Sequence, residues 1–447
     1  MAVISRVPAP RGAPLDDPGR VFVSKLELSA PPPAGQLPVP EGYHRVRILV
    51  RCHGEVLGYL DERLPAEGLP TAELVARSVV RFRDRIEAHL GAECLDWPRG
   101  PQESIPPAGP SCPSQPSTSP LVSLVVCTRE RPKILAGCLT HLRTLTHPLL
   151  DVVVVDNAPR SDSTRDVFER EVGGDARFRY VREPVAGLSR ARNRGIFEAR
   201  GEIVAYTDDD VTVEPEWISA LVRGFERDPK VGCVTGLVAT AAIDGPAERY
   251  FDSRVSWARN CTPRLYDLGG RRGDNALYPY SAGIFGTGAN FAFRKTAVEG
   301  IGGFDEALGA GTPAKGGEDL DAFVEILRAG WVLAYEPNAV VWHHHRTDLD
   351  ELRRQMYGYG TGLSAFATKH LLDHGSRPDV LRRVVPGALR LTTALRKASR
   401  GGDAKDESDA LGSRPKGLVL NELRGLIAGP FLYLRGRRAT RRTANRT

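Results

Sequence analysis

The sequence is short of the features that would place a chain outside a reducing compartment or across a membrane. Its seven cysteines (Cys52, Cys94, Cys112, Cys127, Cys138, Cys233 and Cys261) are an odd number with no C-x-x-C pair among them, which fits a protein kept reduced in the cytoplasm. No uninterrupted apolar run reaches the roughly 18 residues of a membrane span. The opening Met-Ala-Val-Ile-Ser-Arg-Val-Pro has no apolar core of the length a secretory signal needs. A basic face interleaved with aromatics is missing too, so nucleic acid is not expected as a partner. There is no internal repeat. A soluble protein, or one attached only peripherally to the inner face of a membrane, is the expectation.

What is present is a globular chain of 447 residues, 41% hydrophobic, long enough for two or three structural units. Its net charge of +6 is matched by the six arginines between Arg435 and Thr447, leaving the rest neutral. Before that tail, Leu418 to Leu434 mixes apolar residues with Glu422 and Arg424. Such a segment either docks as a terminal helix with a solvated tail or lies on an anionic membrane surface.

The composition divides the chain. Residues 1–40 are Pro-rich and read as disordered. Residues 41–97 read as a small α+β domain. In it Val46, Ile48 and Val50 alternate with arginines, His53-Gly54 marks a turn, and a helix follows from about Thr71 to Leu90. No residue cluster in it suggests chemistry. Residues 98–120 form a Pro/Ser-rich linker. From Leu121 to His345, buried strand runs (121–127, 152–155, 203–206) alternate with amphipathic helices (133–145, 188–200), which implies a mostly parallel sheet covered on both faces. Residues 346–447 read as a helical C-terminal region with a charged low-complexity stretch near 399–416 and the basic tail.

Polar residues follow the apolar strands abruptly at Thr128-Arg129-Glu130-Arg131, Asp156-Asn157 and Asp208-Asp209-Asp210. In an extended segment Asp208 and Asp210 face the same side. Hard oxygen ligands of this kind suit Mg²⁺ or Mn²⁺. The same acids would also serve as caps for a helix beginning near Pro215.

These segments resemble family-2 glycosyltransferases. The resemblance is carried by Val-Ser-Leu-Val-Val-Cys-Thr-Arg-Glu-Arg-Pro (122–132), Gly-Leu-Ser-Arg-Ala-Arg-Asn-Arg-Gly (187–195) and Tyr-Thr-Asp-Asp-Asp (206–210). Gly-Thr-Gly-Ala-Asn-Phe-Ala-Phe-Arg-Lys (286–295), Gly-Gly-Phe-Asp-Glu-Ala-Leu (302–308) and Gly-Gly-Glu-Asp-Leu-Asp (316–321) add to it. It covers about residues 121–345 and implies the GT-A fold, a Rossmann-like mostly parallel sheet with helices on both faces. It further implies a nucleotide-sugar donor and inversion in a single displacement.

Carried over by position, the resemblance assigns donor contacts to Thr128, Arg129, Glu130, Asp156, Arg190, Arg192, Asn193, Asp208 and Asp209. Arg190 or Arg192 at the start of a helix would favour phosphate, against the plainer reading of an exposed basic face. The family often has asparagine where this chain has Glu130, which leaves the base open: a UDP-sugar is favoured, with dTDP and GDP as alternatives. Asp210 with Asp208 maps onto the D-x-D metal signature, and His343, first of three consecutive histidines, is the further ligand unless the three form a surface turn. Asp319, with Glu318 and Asp321 beside it, is the general base for the acceptor hydroxyl. Gly288, Asn290 and Trp331 are assigned to the acceptor site. The acceptor would be a glycan, a lipid-linked sugar or a small molecule. A sugar-phosphate nucleotidyltransferase and a catalytically inactive glycosyltransferase-like scaffold are the alternatives.

Overall fold

A computed structural model describes residues 19–31, 35–65, 68–97, 105–109, 112–272, 275–383 and 417–444. The first eighteen residues, the first part of the Pro/Ser-rich linker, the low-complexity stretch at 399–416 and the last three residues lie outside the described residues.

The N-terminal unit is a three-stranded sheet, β1 (Val21–Glu27), β2 (Arg45–Cys52) and β3 (Glu55–Arg63), with helices α1 (Thr71–Arg81) and α2 (Arg83–Ala92). β1 corrects the expectation of disorder up to residue 40: it pairs in parallel with β2 from Val21↔Arg45 to Glu27↔Arg51. The reason is its period of two. Phe22 and Leu26 enter the core beneath α1 and α2, while Val23 faces the other way into a second core. The single helix expected over 71–90 is two, broken at Phe82 (φ −110°, ψ 19°), whose ring lies against Gly58 of β3. The stretch expected to be a linker is also partly packed, with Ile105 and Cys112 buried.

The large sheet has nine strands, β4 (Val122–Thr128), β5 (Leu150–Asn157), β6 (Phe178–Glu183), β7 (Ile203–Asp208), β8 (Val211–Val213), β9 (Val231–Thr240), β10 (Arg264–Tyr266), β11 (Asn290–Arg294) and β12 (Val332–His343). The order is β10-β12-β9-β11-β7-β4-β5-β6, with β8 on β12. β4, β5, β6, β7, β9 and β12 point one way, while β8, β10 and β11 run against them. Helices α3 (Pro132–Leu142), α4 (Ser163–Val172), α5 (Leu188–Glu198), α6 (Trp217–Glu226), α7 (Pro246–Arg254), α8 (Lys295–Gly300) and α9 (Glu318–Arg328) complete this region. The apolar run of β5 explains why both faces are covered: Val152 and Val154 join the core of α3, α4 and α6, and Val153 and Val155 join that of α5, α8 and α9. Burying each such valine is worth roughly 1.5–3 kcal/mol. α5 sits so close that a methyl at Gly195 would come within 2.4 Å of Val125. The α/β class with a mostly parallel sheet, helices on both faces and a helical C-terminal region is therefore as expected.

The N-terminal sheet docks on this body with its second face. Val23, Leu49 and Val56 pack with Leu237, Ala239, Val340 and Trp342. Around them Arg47 pairs with Asp252 at 2.8 Å, and Lys25 with Glu214 at 2.6 Å. Arg47 and Arg51 of β2 are thus junction residues. At the C-terminus, α10 (Leu349–Leu372) is crossed by α11 (Leu418–Ala444). Gly425 and Gly429 lie against the backbone of residues 357–365, where a side-chain carbon would have no room, and the Tyr433 hydroxyl donates to Asp305 at 3.0 Å.

Candidate active site

β4, β5, β7, β9 and β12 run in the same direction, so their carboxyl ends share one edge. There β7 delivers Asp208, a tight turn delivers Asp209 and Asp210, and β8 pairs back onto the end of β12 through Val211↔His343. Asp208, Asp210 and His343 each bring one ligand atom within 4.8 Å of the others, with His343 Nε2 3.5 Å from Asp210 Oδ1. Asp209 faces away. It accepts from the Thr128 hydroxyl at 2.7 Å and from Arg131 at 2.5 Å. The acids do not cap a helix, because α6 begins at Trp217 with Glu216 at its N-cap position.

The three histidines diverge. His343 faces Asp210 and shares a proton with His345 (Nδ1 to Nδ1 2.9 Å), His344 meets the Thr212 hydroxyl at 3.1 Å, and His345 meets Thr240 at 3.2 Å. Burial lowers the His343 pKa against the pull of Asp210, so its imidazole is neutral at pH 7 and offers a lone pair. Burial, opposed by Arg192 and reinforced by Asp210 and Asp209, pushes Asp208 up. Asp210 is also buried, but His343, Arg131 and Arg346 hold it below the ordinary carboxylate range. Two carboxylates pushed apart in this way, beside a neutral imidazole, form a donor set that fits a divalent cation. The two oxygens suit Mg²⁺ or Mn²⁺, and the nitrogen tilts the set toward Mn²⁺.

Several assigned donor contacts are corrected by their surroundings. Thr128 and Asp209 are buried and spent on each other. Arg192 is only 3% exposed. It donates to Glu318 at 3.0 Å and to the Gly288 carbonyl at 2.9 Å, stands 3.6 Å from Asp208, and lies over the rings of Phe291 and Phe304. It cannot also face phosphate. Asn193 is bonded to both backbone groups of Phe304, and Arg190 pairs with Glu306 at 2.6 Å. At the start of α5 the Leu188 N–H donates to the Ala310 carbonyl and the Gly187 N–H to the Asn157 side chain.

Asp156 lies opposite Thr128 in the β4–β5 ladder. It is fully buried, accepts from Tyr180 at 2.6 Å, and has its pKa raised by burial. Arg129 and Glu130 stay on the rim. Glu130 takes a left-handed conformation (φ 55°) and accepts from the Arg160 N–H.

Asp319 sits in the first turn of α9 beside Gly288, where a side-chain carbon would come within 3.0 Å of Asp319 Oδ2. Glu318 is turned inward onto Arg192 and pushed up by burial. Asp321 is engaged by Lys369 at 2.5 Å and His370 at 3.2 Å, which removes it as a substitute base. Among the residues expected at the acceptor site, Gly288 is beside Asp319 and Arg192. Asn290 is not: it is fully buried and bonded to Trp217 and the Leu237 and Ala339 carbonyls. Trp331 is not either, because it precedes β12 while the site lies at the strand's other end, roughly 35 Å of extended chain away. Three residues were not anticipated. Arg131 and Arg346 both reach Asp210, and Tyr359 of α10 stands within the field of Asp319, Asp208 and Asp210. Arg131 was legible in its motif; nothing in the sequence pointed to Tyr359.

The fold and this edge define an α/β domain with a cation-ready ligand site at the carboxyl ends of its strands. In comparison with known proteins, residues 123–302 match the family model Glycosyl transferase family 2. It is 29% identical over 343 residues to the pre-mycofactocin glycosyltransferase of Mycobacterium tuberculosis, covering 74% of this chain and 64% of that protein. It is 30% identical over 233 residues to the succinoglycan biosynthesis protein ExoM of Rhizobium meliloti, covering 50% of this chain and 66% of that one. The chain thus spans somewhat less than two thirds of the length of its mycobacterial relative. Among solved structures, the mannosyltransferase PcManGT from Pyrobaculum calidifontis, in complex with GDP-Man and Mn²⁺, matches with a TM-score of 0.48 at 19% identity, over 80% of this chain and 98% of that one.

Proposed function

We propose that this chain transfers a sugar from a nucleotide-sugar donor to an acceptor hydroxyl by a single inverting displacement, with Asp208, Asp210 and His343 holding Mn²⁺ or Mg²⁺. The observation that carries this reading is the convergence of those three side chains on the strand edge that also receives Asp319. Held there, a divalent cation would neutralise charge on the departing nucleoside diphosphate. The chain's own residues do the rest. Asp319 takes the proton of the acceptor hydroxyl as the new bond forms, Gly288 leaves room for that approach, and Arg192 ties Glu318 to Asp208 so that the base helix and the acidic turn keep a common geometry. Arg129 and Glu130 line the rim of the donor side, above the buried Asp156, where a UDP-sugar is favoured over dTDP and GDP.

Relatives named for pre-mycofactocin and succinoglycan support an acceptor among glycans, lipid-linked sugars or small molecules. No helix among the described residues is long and apolar enough to cross a membrane. α11 nevertheless shows solvent an apolar stripe, with Leu420, Leu423, Ile427 and Phe431 all at least half exposed, followed by the arginines of the tail. That face suits peripheral contact with anionic lipid on the cytoplasmic side. A thermal-shift and turnover screen over nucleotide sugars with Mn²⁺ tests the reading. One donor should both stabilise the protein and be consumed, and no response to any donor would refute it.

A further inference from the structure

Outside the acidic edge, the N-terminal unit assembles a second set of ligating side chains that no expectation anticipated. His53 at the β2–β3 turn, His89 in the last turn of α2, Glu93 at the C-cap of that helix, and Cys112 on the segment leading to β4 bring one ligand atom each within 4.8 Å of one another, and all four are buried. His53 Nδ1 is 2.5 Å and His89 Nε2 2.7 Å from the same Glu93 Oε1, the two ring nitrogens are 3.2 Å apart, and Cys112 Sγ is 3.7 Å from His89 Nε2.

The outer valences are already taken. His53 Nε2 faces the Pro106 carbonyl at 2.7 Å, which can only accept, so that nitrogen carries the hydrogen. His89 Nδ1 lies 2.7 Å from the Glu55 carboxylate and donates to it in the same way. Glu93 Oε2 accepts from the Gly109 N–H at 2.9 Å. In the neutral imidazoles both inward nitrogens therefore present lone pairs, and they converge on a carboxylate oxygen that also presents one. The Cys112 thiol also hydrogen-bonds to Glu93, and Glu55 and Glu93 raise the His89 pKa against the effect of burial; three acceptors brought this close are held together either by protons on the rings or by one cation standing among them.

The third such group among the described residues, Asp321, Glu325 and His370, already has its cation in the Lys369 ammonium, 2.5 Å from Asp321. Among the described residues, no lysine or arginine pairs with His53, His89, Glu93 or Cys112.

We propose that His53, His89, Glu93 and Cys112 are the four ligands of a structural zinc ion that clasps the β2–β3 turn, α2 and the segment entering β4. A thiolate, two imidazoles and one carboxylate oxygen suit Zn²⁺, and four protein ligands close the coordination shell, as in structural rather than catalytic sites. Tetrahedral zinc sets its ligand atoms roughly 3.3–3.8 Å apart, so the cluster reaches that geometry with sub-ångström outward shifts of the imidazoles and the carboxylate. The Glu55–His89 and Pro106–His53 contacts are the outer hydrogen bonds that orient ligating histidines. Binding releases the Cys112 thiol proton.

Elemental analysis of the full chain, purified through a handle without histidines, tests this. One zinc per chain is expected, unchanged in the Asp208→Asn/Asp210→Asn double variant, and reduced at least tenfold by Cys112→Ser or His89→Gln. Glu55→Gln should weaken zinc binding tenfold to a hundredfold. Should the ligand variants fail to fold, cobalt exchanged into the unmutated protein gives a second reading through its thiolate-to-metal charge-transfer band. Protein that carries no zinc and shows no such band, or zinc retained at full stoichiometry by both ligand variants, overturns the proposal.

Discussion

The two cation-ready clusters of this protein differ in how they are built. At the acidic edge, two ligands are a residue apart in sequence, and only His343 comes from a distance. In the N-terminal unit, His53, His89, Glu93 and Cys112 come from a turn, a helix and a segment expected to be a linker. The first cluster is half-buried and open, as a site for a passing ligand must be. The second is buried, with its outer polar atoms engaged, as a fastening must be. Local sequence betrays a site when one strand end supplies its ligands and hides it when tertiary contacts must gather them.

If the two clusters divide labour in this way, separate substitutions should damage separate properties. The largest effect is expected from Asp210→Asn, which should lower sugar transfer by about a thousandfold or more, the several kcal/mol a Lewis acid contributes, while zinc content stays at one per chain. Turnover that survives this change with its Mn²⁺ dependence intact would erase the distinction. Asp319→Asn should cost about 10²- to 10⁴-fold in kcat with donor affinity unchanged, as measured by calorimetry. A comparable loss of donor affinity would move Asp319 from the base role to donor binding.

The junction between the two regions can be tested by stability. Arg47→Ala leaves Asp252 buried without its main partner and should cost about 3–5 kcal/mol, read from denaturant midpoints. A single unfolding transition that shifts as a whole would show the regions melting together, and two transitions would show them independent. Acid probes the same seam at Glu214. Although burial opposes it, Arg51 and Lys25 hold its carboxyl down to about 2. A lowered folded-state pKa means a stabilisation fully present above the ordinary glutamate value and lost as pH falls from about 4.5 toward 2. It is worth on the order of 3 kcal/mol, and Glu214→Gln should flatten the stability profile across that window. The smallest change is expected from Ile427→Ser with Phe431→Ser on the exposed face of α11. Thermal stability should move by less than about 0.5 kcal/mol, while sedimentation with anionic vesicles falls. Unchanged sedimentation would remove the membrane contact.

Much of the large sheet was legible because β4, β5 and β7 are continuous apolar runs, and a strand buried on both faces must be. The acidic turn was legible for a related reason, since polar residues at once after such a strand have only the sheet edge to occupy. What failed did so where one side chain had two destinations. Arg192 read as a phosphate ligand, yet the aromatic rings and Glu318 that enclose it come from residues a hundred positions away. Trp331 and Asn290 read as acceptor residues from motif position, while strand direction put one at the wrong end and core hydrogen bonds consumed the other. β1 was missed because a lone strand next to a Pro-rich stretch declares itself only through its partner β2.

By itself, then, the sequence determined the strand runs, the helix faces, the acidic turn and the family they resemble, because periodicity and adjacency are local and act within a few residues. Tertiary structure alone decided which arginines are buried braces, which of three histidines meets Asp210, and that four scattered residues of the N-terminal unit share one buried point. Those outcomes depend on burial and on distances between elements, and neither quantity exists until the chain has packed.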